Sequence, residues 1–528
     1  NNRPCDLAPN GDSAPFHIGD GTLGNPYYIC TPTQFQALTT STSLWDQNLY
    51  FALGNNINLA GLALTPIGNN TTTFKGDFNG NGNALLNYTF TAPAASYDAI
   101  GLFGVVNSGN GQSLHDLTLV NPSTTAGVTK SNFISVLLGR GTMASMNNIK
   151  LLNASLNILN NGSAPEATNG ILAASLAANL TNIFLSGSSV VDGNAFHSGG
   201  LVGTLNTNTS SLVQYISIRD FSMNVTNSPW GHNSALLASA VNGGGNFLDI
   251  AIQANNFITS TGGGSFFINN GLWGAAGPFN LARINISIIN HSNGWGGGGN
   301  YFAAVLGGNS STVTASEIDV QVASNSGILN GLFLYLSGAS TLSKLSFKGQ
   351  LGPNGQIIGG CRSGLVLNAD QISITATNAT SMRLVCSNYD GQSWASVTLS
   401  NIHISSDSTT FGLSWPQVCP TSANFKISNL FMAAPIVATW SGNPVFNSGS
   451  LPAGCTPSID LTNFYYDSTL MSLTDSSYYF AGVQTRPSGM YGLLTPQAKI
   501  QANFVGFDFT NVWKMPPGGG YPILQFGN

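Results

Sequence analysis

Charge is what this sequence has least of. Only two glutamates, Glu166 and Glu317, occur in the chain, and charged residues make up 7% of its 528 positions, against about 25% in an average soluble protein. A net charge of −5 spread so thinly leaves no basic track for nucleic acid and no polybasic anchor for a membrane surface. No apolar run approaches the ~18 residues of a membrane span. The six histidines (His17, His115, His197, His232, His291, His403) lack the close spacing of a zinc-binding pair. A Walker loop and a convincing Gly-x-Ser-x-Gly elbow are also missing, so the sequence implies no cofactor and no metal. With 42% hydrophobic residues the chain is not disordered. Its surface must be covered by Asn, Ser, Thr and Gly, and such a skin offers little repulsion against self-association. Composition therefore favours a homo-oligomer, polymer or matrix component over a freely diffusing enzyme.

What is present is a repeat. An apolar–x–apolar triplet recurs at Leu117, Ile149, Ile183, Ile216, Ile250, Ile284, Ile318, Leu345, Ile372, Ile402, Phe425 and Ile459. The interval is 32–34 residues as far as Ile318, then 23–34. A near-constant period of this size marks an array of one structural unit. The middle residue is mostly polar, the alternation of a strand with one buried face. A second strand is expected at Gly101-Leu102-Phe103-Gly104, Gly200-Leu201-Val202-Gly203 and similar runs, and a third at Ala154–Leu159 and Phe221–Val225. Three strands per turn make an all-β, three-sided parallel β-helix of about 12 coils, right-handed because parallel crossovers almost always are. Helical repeats are excluded by the shortage of helix formers.

Gly-Leu-Phe/Val-Gly followed by an Asn-Ile-x-Leu-like strand resembles the GLUG repeats of secreted bacterial proteins. The opening Pro26-Tyr27-Tyr28-Ile29 and Phe74-Lys75-Gly76-Asp77-Phe78-Asn79-Gly80-Asn81-Gly82 and the ending Gly520-Tyr521-Pro522-Ile523-Leu524 carry the same likeness. The resemblance implies an extracellular right-handed β-helix, often adhesive or associated with the cell wall.

The spacing predicts an N-terminal cap over 1–95, coils over 96–468, and a C-terminal cap or subunit-contact region over 469–528. One short helix is expected after Thr31, where a capping Thr precedes Pro32. The cysteines fall into local pairs, Cys5 with Cys30, Cys361 with Cys386 and Cys419 with Cys455, which point to disulfides in an oxidising compartment. The chain begins without methionine, as expected of a mature secreted form whose signal peptide is gone.

The residue before each triplet forms a column that includes Asp249, Arg283, Glu317 and Lys344 and ends on Asn401, Asn424 and Ser458. Four alternating charges read as an ion-pair ladder. As a glycosidase pair, Asp249 and Glu317 would stand about 10 Å apart, at or beyond the inverting geometry, with Arg283 lowering the pKa values of both. Asp77-Phe78-Asn79-Gly80-Asn81-Gly82 matches half a calcium loop but has Tyr88 where the bidentate Glu belongs. It reads better as a Gly/Asn turn. Trp230 and Trp295, beside glycines, are candidates for a glycan or subunit contact, whereas Trp273 reads as strand packing. The sequence points to a non-enzymatic extracellular structural or adhesive solenoid, with fibre formation as one version. The alternatives are a polysaccharide lyase or hydrolase on the same fold and a sugar-binding adhesin.

Overall fold

The computed structural model describes residues 3–92, 98–109, 111–127, 133–159, 167–193, 197–225, 233–259, 264–270, 277–293, 302–308, 312–327, 329, 331–352, 354–379, 381–385, 395–408, 410–412, 421, 423–435, 458–471 and 488–526. Trp230, Trp273, Trp295, Cys386, Cys419 and Cys455 lie outside them. The chain forms two compact units, one of Asn1–Ala275 with Gly294–Asn300, the other of Ala276–Asn293 with Tyr301–Asn528. Both are parallel β-solenoid, about nine turns in all, with 6% helix.

In the first unit the ladder starts well before residue 96. Tyr27 pairs with Phe51, Phe51 with Phe78, and Phe78 with Leu114. Met146, Leu180, Val213 and Phe247 continue the same column. From Phe51 onward every member is buried, each contributing roughly 1.5–3 kcal/mol of hydrophobic stabilisation. The N-terminal region is thus the first part of the solenoid with helical decoration. Helix α1 (Pro32–Thr40) opens on a capping box: Gln34 N donates to Thr31 Oγ1 at 3.2 Å, and Gln34 Oε1 accepts from Thr31 N at 3.2 Å and Cys30 N at 2.7 Å. A second, shorter helix α2 (Thr42–Trp45), not expected from the sequence, follows at once. Cys5 and Cys30 form a disulfide across Cα atoms 5.7 Å apart, and Gly54 lies so close beneath it that a Cβ there would collide with Cys5 Sγ. Cys361 is also disulfide-bonded.

The Gly-Leu-Phe-Gly runs are corners, not strand centres. Gly101 and Leu102 bend between the strands Ala99–Ile100 and Phe103–Asn107. Leu201 and Leu236 occupy equivalent buried bends. Glycine is required where backbones meet: a Cβ on Gly104 would strike the Gly68 carbonyl, and one on Gly203 the Ala174 carbonyl.

The triplets stack as expected from Leu117 through Ile149, Ile183 and Ile216 to Ile250 in the first unit. In the second they stack from Ile284 through Ile318, Leu345 and Ile372 to Ile402. The last two differ. Ile402 pairs with Leu430, and Leu430 with Phe464, so the final triplets are Leu430-Phe431-Met432 and Phe464-Tyr465-Tyr466. Phe425 instead lies beside Val397, on the strand before the corner.

Between those two strands the ladder passes over one residue: Asn147 pairs with Thr181 and Ile149 with Ile183, leaving Asn148 and Asn182 aside. These skipped residues are left-handed, at φ 53° and 55°. A single αL residue turns the chain while both flanking strands stay paired. A second left-handed corner follows five residues later at every turn from 116 to 220: Asp116 and Asn121, Asn148 and Asn153, Asn182 and Gly187, Tyr215 and Asp220.

In the second unit the strand Asp460–Asp467 pairs with Met490–Leu493, and the chain then returns along the flank of the preceding strands. Trp513, Phe504, Phe507, Leu524 and Ala498 bury themselves against Phe431 and Tyr465, so this segment covers an outer face. Trp513 stacks on Phe507 with centroids 4.4 Å apart and donates to Asn401 Oδ1 at 3.2 Å. Asp467 clips the return: it accepts from Tyr521 Oη at 2.6 Å and Thr495 Oγ1 at 2.7 Å. Burial pushes its carboxyl up, but these bonds outweigh that and hold it below the usual range. The Tyr521 hydroxyl, through burial and then Asp467, is pushed up to about 12.

Candidate functional site

The column of predicted charges is the left-handed corner itself. In the second unit it runs Arg283, Glu317, Lys344, Gln371, Asn401, Asn429 and Asn463, all at φ 52–58°. Asn424 and Ser458 are therefore replaced by Asn429 and Asn463, a consequence of the shifted last triplets. Asn and Asp tolerate αL because their short side chains hydrogen-bond locally; for other residues it costs roughly 1–2 kcal/mol. The amide members bond along the stack: Asn401 donates to Asp370 at 2.7 Å, Asn429 to Asn401 at 3.3 Å and Asn463 to Asn429 at 3.0 Å. In the first unit Asn148 donates to Asp116 at 2.7 Å, while at the second corner Asn153 and Asn121 extend a ladder to Asn87.

Lys344 and Glu317 form an exposed ion pair at 3.6 Å. Asp249, in the other unit, accepts from Gln214 at 2.7 Å. The strain at Lys344 exceeds the ~0.2–1 kcal/mol of its exposed ion pair. Lys344→Asn is therefore expected to raise stability by about 0.5–1 kcal/mol in chemical denaturation, and a lowered midpoint would contradict the strain argument.

One ionic cluster was missed in the sequence. Asp77 starts the strand Asp77–Asn79, and Phe78 pairs with Leu114, which sets Asp77 beside Ser113 and His115. The imidazole of His115 lies between two carboxylates, Nε2 3.0 Å from Asp77 Oδ1 and Nδ1 2.7 Å from Asp116 Oδ2. Asp77 Oδ2 also accepts from Ser113 N at 3.0 Å. The hydrogen bond to Asp77, opposed by burial and helped by Asp116, raises His115 to about 9. Both ring nitrogens of this imidazolium donate to carboxylates, so neither can take a proton from a nucleophile. The cluster is a clamp. The calcium-like run around it is a turn, with Asn81 N donating to Asn79 Oδ1 at 2.6 Å.

His291 and His403 are buried, and burial takes each down to about 4, with an Asn325 bond opposing it for His291. Among the described residues, no three His, Cys, Asp or Glu side chains converge to hold a metal ion.

A cleft of about 590 Å³ opens in the first unit between the α1–α2 junction and the loop at 65–71. Thr42, Thr65, Thr71, Asn69 and Asp98 form its exposed rim, over a buried floor of Pro66, Ala99 and Val105.

No family model matches the chain, and no curated protein matches it. Among solved structures it aligns with a Bacteroides ovatus protein named a putative immunoglobulin A1 protease, at 14% identity over 98% of each chain with a TM-score of 0.20. A likeness that weak carries no argument about activity.

Proposed function

We propose that the protein is a non-enzymatic extracellular structural or adhesive solenoid, able to serve as the repeating subunit of a surface fibre or matrix. We take it as a right-handed, three-sided β-helix similar to GLUG-repeat proteins. The observation that carries the reading is the use made of the corner columns. Their asparagines, with Asp116 and Asp370, are engaged in bonds between successive strands, which stiffens the stack. The Cys5–Cys30 disulfide suits an oxidising exterior, and the sparse charge suits close packing of copies. Electron microscopy of concentrated purified protein is expected to show filaments or ordered arrays. Monodisperse single copies at every concentration would refute the polymer reading, and cleavage of any polysaccharide by the purified chain would refute the non-enzymatic one.

A further inference from the structure

We propose that the cleft between the α1–α2 junction and the loop at 65–71 is a binding site for a short neutral glycan. Its volume of about 590 Å³ falls within the ~300–1,000 Å³ of small-ligand sites. Two kinds of surface face each other across it: a rim of hydroxyls and amides at Thr42, Thr65, Thr71 and Asn69, and a floor of Pro66, Ala99 and Val105. A pyranose presents the same two surfaces, hydroxyls at its edge and C–H bonds on its face.

Among the described residues of the lining, Asp98 is the only ionisable group. Its Oδ2 accepts from the Asn70 amide, whose own oxygen accepts from Arg140 Nη2. The Arg140 guanidinium lies 5.4 Å over the Phe133 ring, so its charge is committed to Asn70 and an aromatic face. A carboxylate beside an amide offers acceptor and donor together, which suits neighbouring hydroxyls and repels an anionic sugar. An apolar ligand would strip water from the rim and leave its polar groups unpaired, at roughly 1–3 kcal/mol each.

The walls are fixed before any ligand arrives. Thr65 Oγ1 donates to Thr39 O at 2.8 Å, and Asn69 Oδ1 accepts from the Thr71 and Thr72 amides at 2.9 and 2.8 Å. Gly68 holds φ 81° and abuts the Val105 carbonyl, where a Cβ would collide. Little ordering cost therefore remains for binding.

The inference goes beyond the scaffold reading and is separable from it: filaments without glycan binding would overturn this inference alone. The full chain would be titrated calorimetrically with maltotriose, cellotriose and chitotriose, with sialyllactose and a heparin trisaccharide as acidic controls. Thr42→Val and Asp98→Ala, both at exposed positions, would be tested in parallel after circular dichroism and melting show them folded. The expected result is binding of at least one neutral trisaccharide, weakened tenfold or more by each variant. Failure of all three neutral sugars to bind, binding of the acidic sugars only, or unchanged affinity in both variants would overturn it.

Discussion

Replacing Trp513 by alanine is expected to destabilise the second unit by about 3–5 kcal/mol, the cost of truncating a large buried aromatic. Trp513 is fully buried among Phe504, Phe507 and Leu524, against Phe431 and Tyr465. The loss should be local before it is global. Residues 494–526 are held to the flank by this cluster, by the Asp467 clip and by the Tyr465 hydroxyl donating to Val505 O at 3.1 Å. Freed of its anchor, the segment should become susceptible to protease while the ladder from Ile284 to Ile402 keeps its strand signal. Trp513→Phe separates the contributions: it keeps most of the packing and loses only the bond to Asn401, worth about 1 kcal/mol. Equal protease resistance of Trp513→Ala and the native chain would show that the segment is held by something else.

The second large effect is on pH dependence. The folded pKa of His115, about 9, lies above its ordinary value of about 6.5, so protonation favours the folded state. The stabilisation is complete below pH 6.5 and is lost as pH rises through 9. The full shift would correspond to about 3 kcal/mol. The ring is partly exposed, at 23%, and solvent screening brings the expected effect to about 1–2 kcal/mol. At the acid end Asp116 is held below its usual range: burial opposes this, but bonds from Asn148 and His115 prevail. Its contribution is present above its unfolded pKa and disappears as pH falls through the folded one. Denaturant midpoints measured from pH 6 to 10 should fall for the native chain and stay flatter for His115→Gln. Parallel curves would remove the clamp from the account.

The contrast between these two regions shows what could be read in the sequence. Period and alternation located the triplets from Leu117 to Ile402 because their apolar residues share one core face. They fail at Phe425 and Ile459 because the strand before the corner shows the same apolar–polar–apolar alternation: Phe425-Lys426-Ile427 fits the pattern, yet it belongs to that strand. The true triplets carry Phe431 and Tyr465 in the middle position, and those side chains are apolar because the returning segment covers them. An aromatic in an otherwise polar outward column was the available signal for a covered face. The charged column was found, but not its conformation, since Arg283, Glu317, Lys344 and Gln371 are not residues that announce a left-handed corner. Asp77 and His115 are 38 residues apart. They meet because the Phe78–Leu114 pairing extends the ladder back into the stretch expected to be a separate cap.

The fixed spacing of the two left-handed corners keeps variation in length out of the stretch between them. Between the strands Ser155–Leu159 and Thr168–Gly170 lie eight residues, and between Ser189–Asp192 and His197–Gly199 only four. The interval from Asn148 to Asn153 nevertheless equals that from Asn182 to Gly187. An insertion inside that five-residue interval would therefore displace paired residues on both flanks, whereas the chain already carries different lengths outside it, as between Asn206 and Leu212 in one winding and Asn242 and Gly245 in the next.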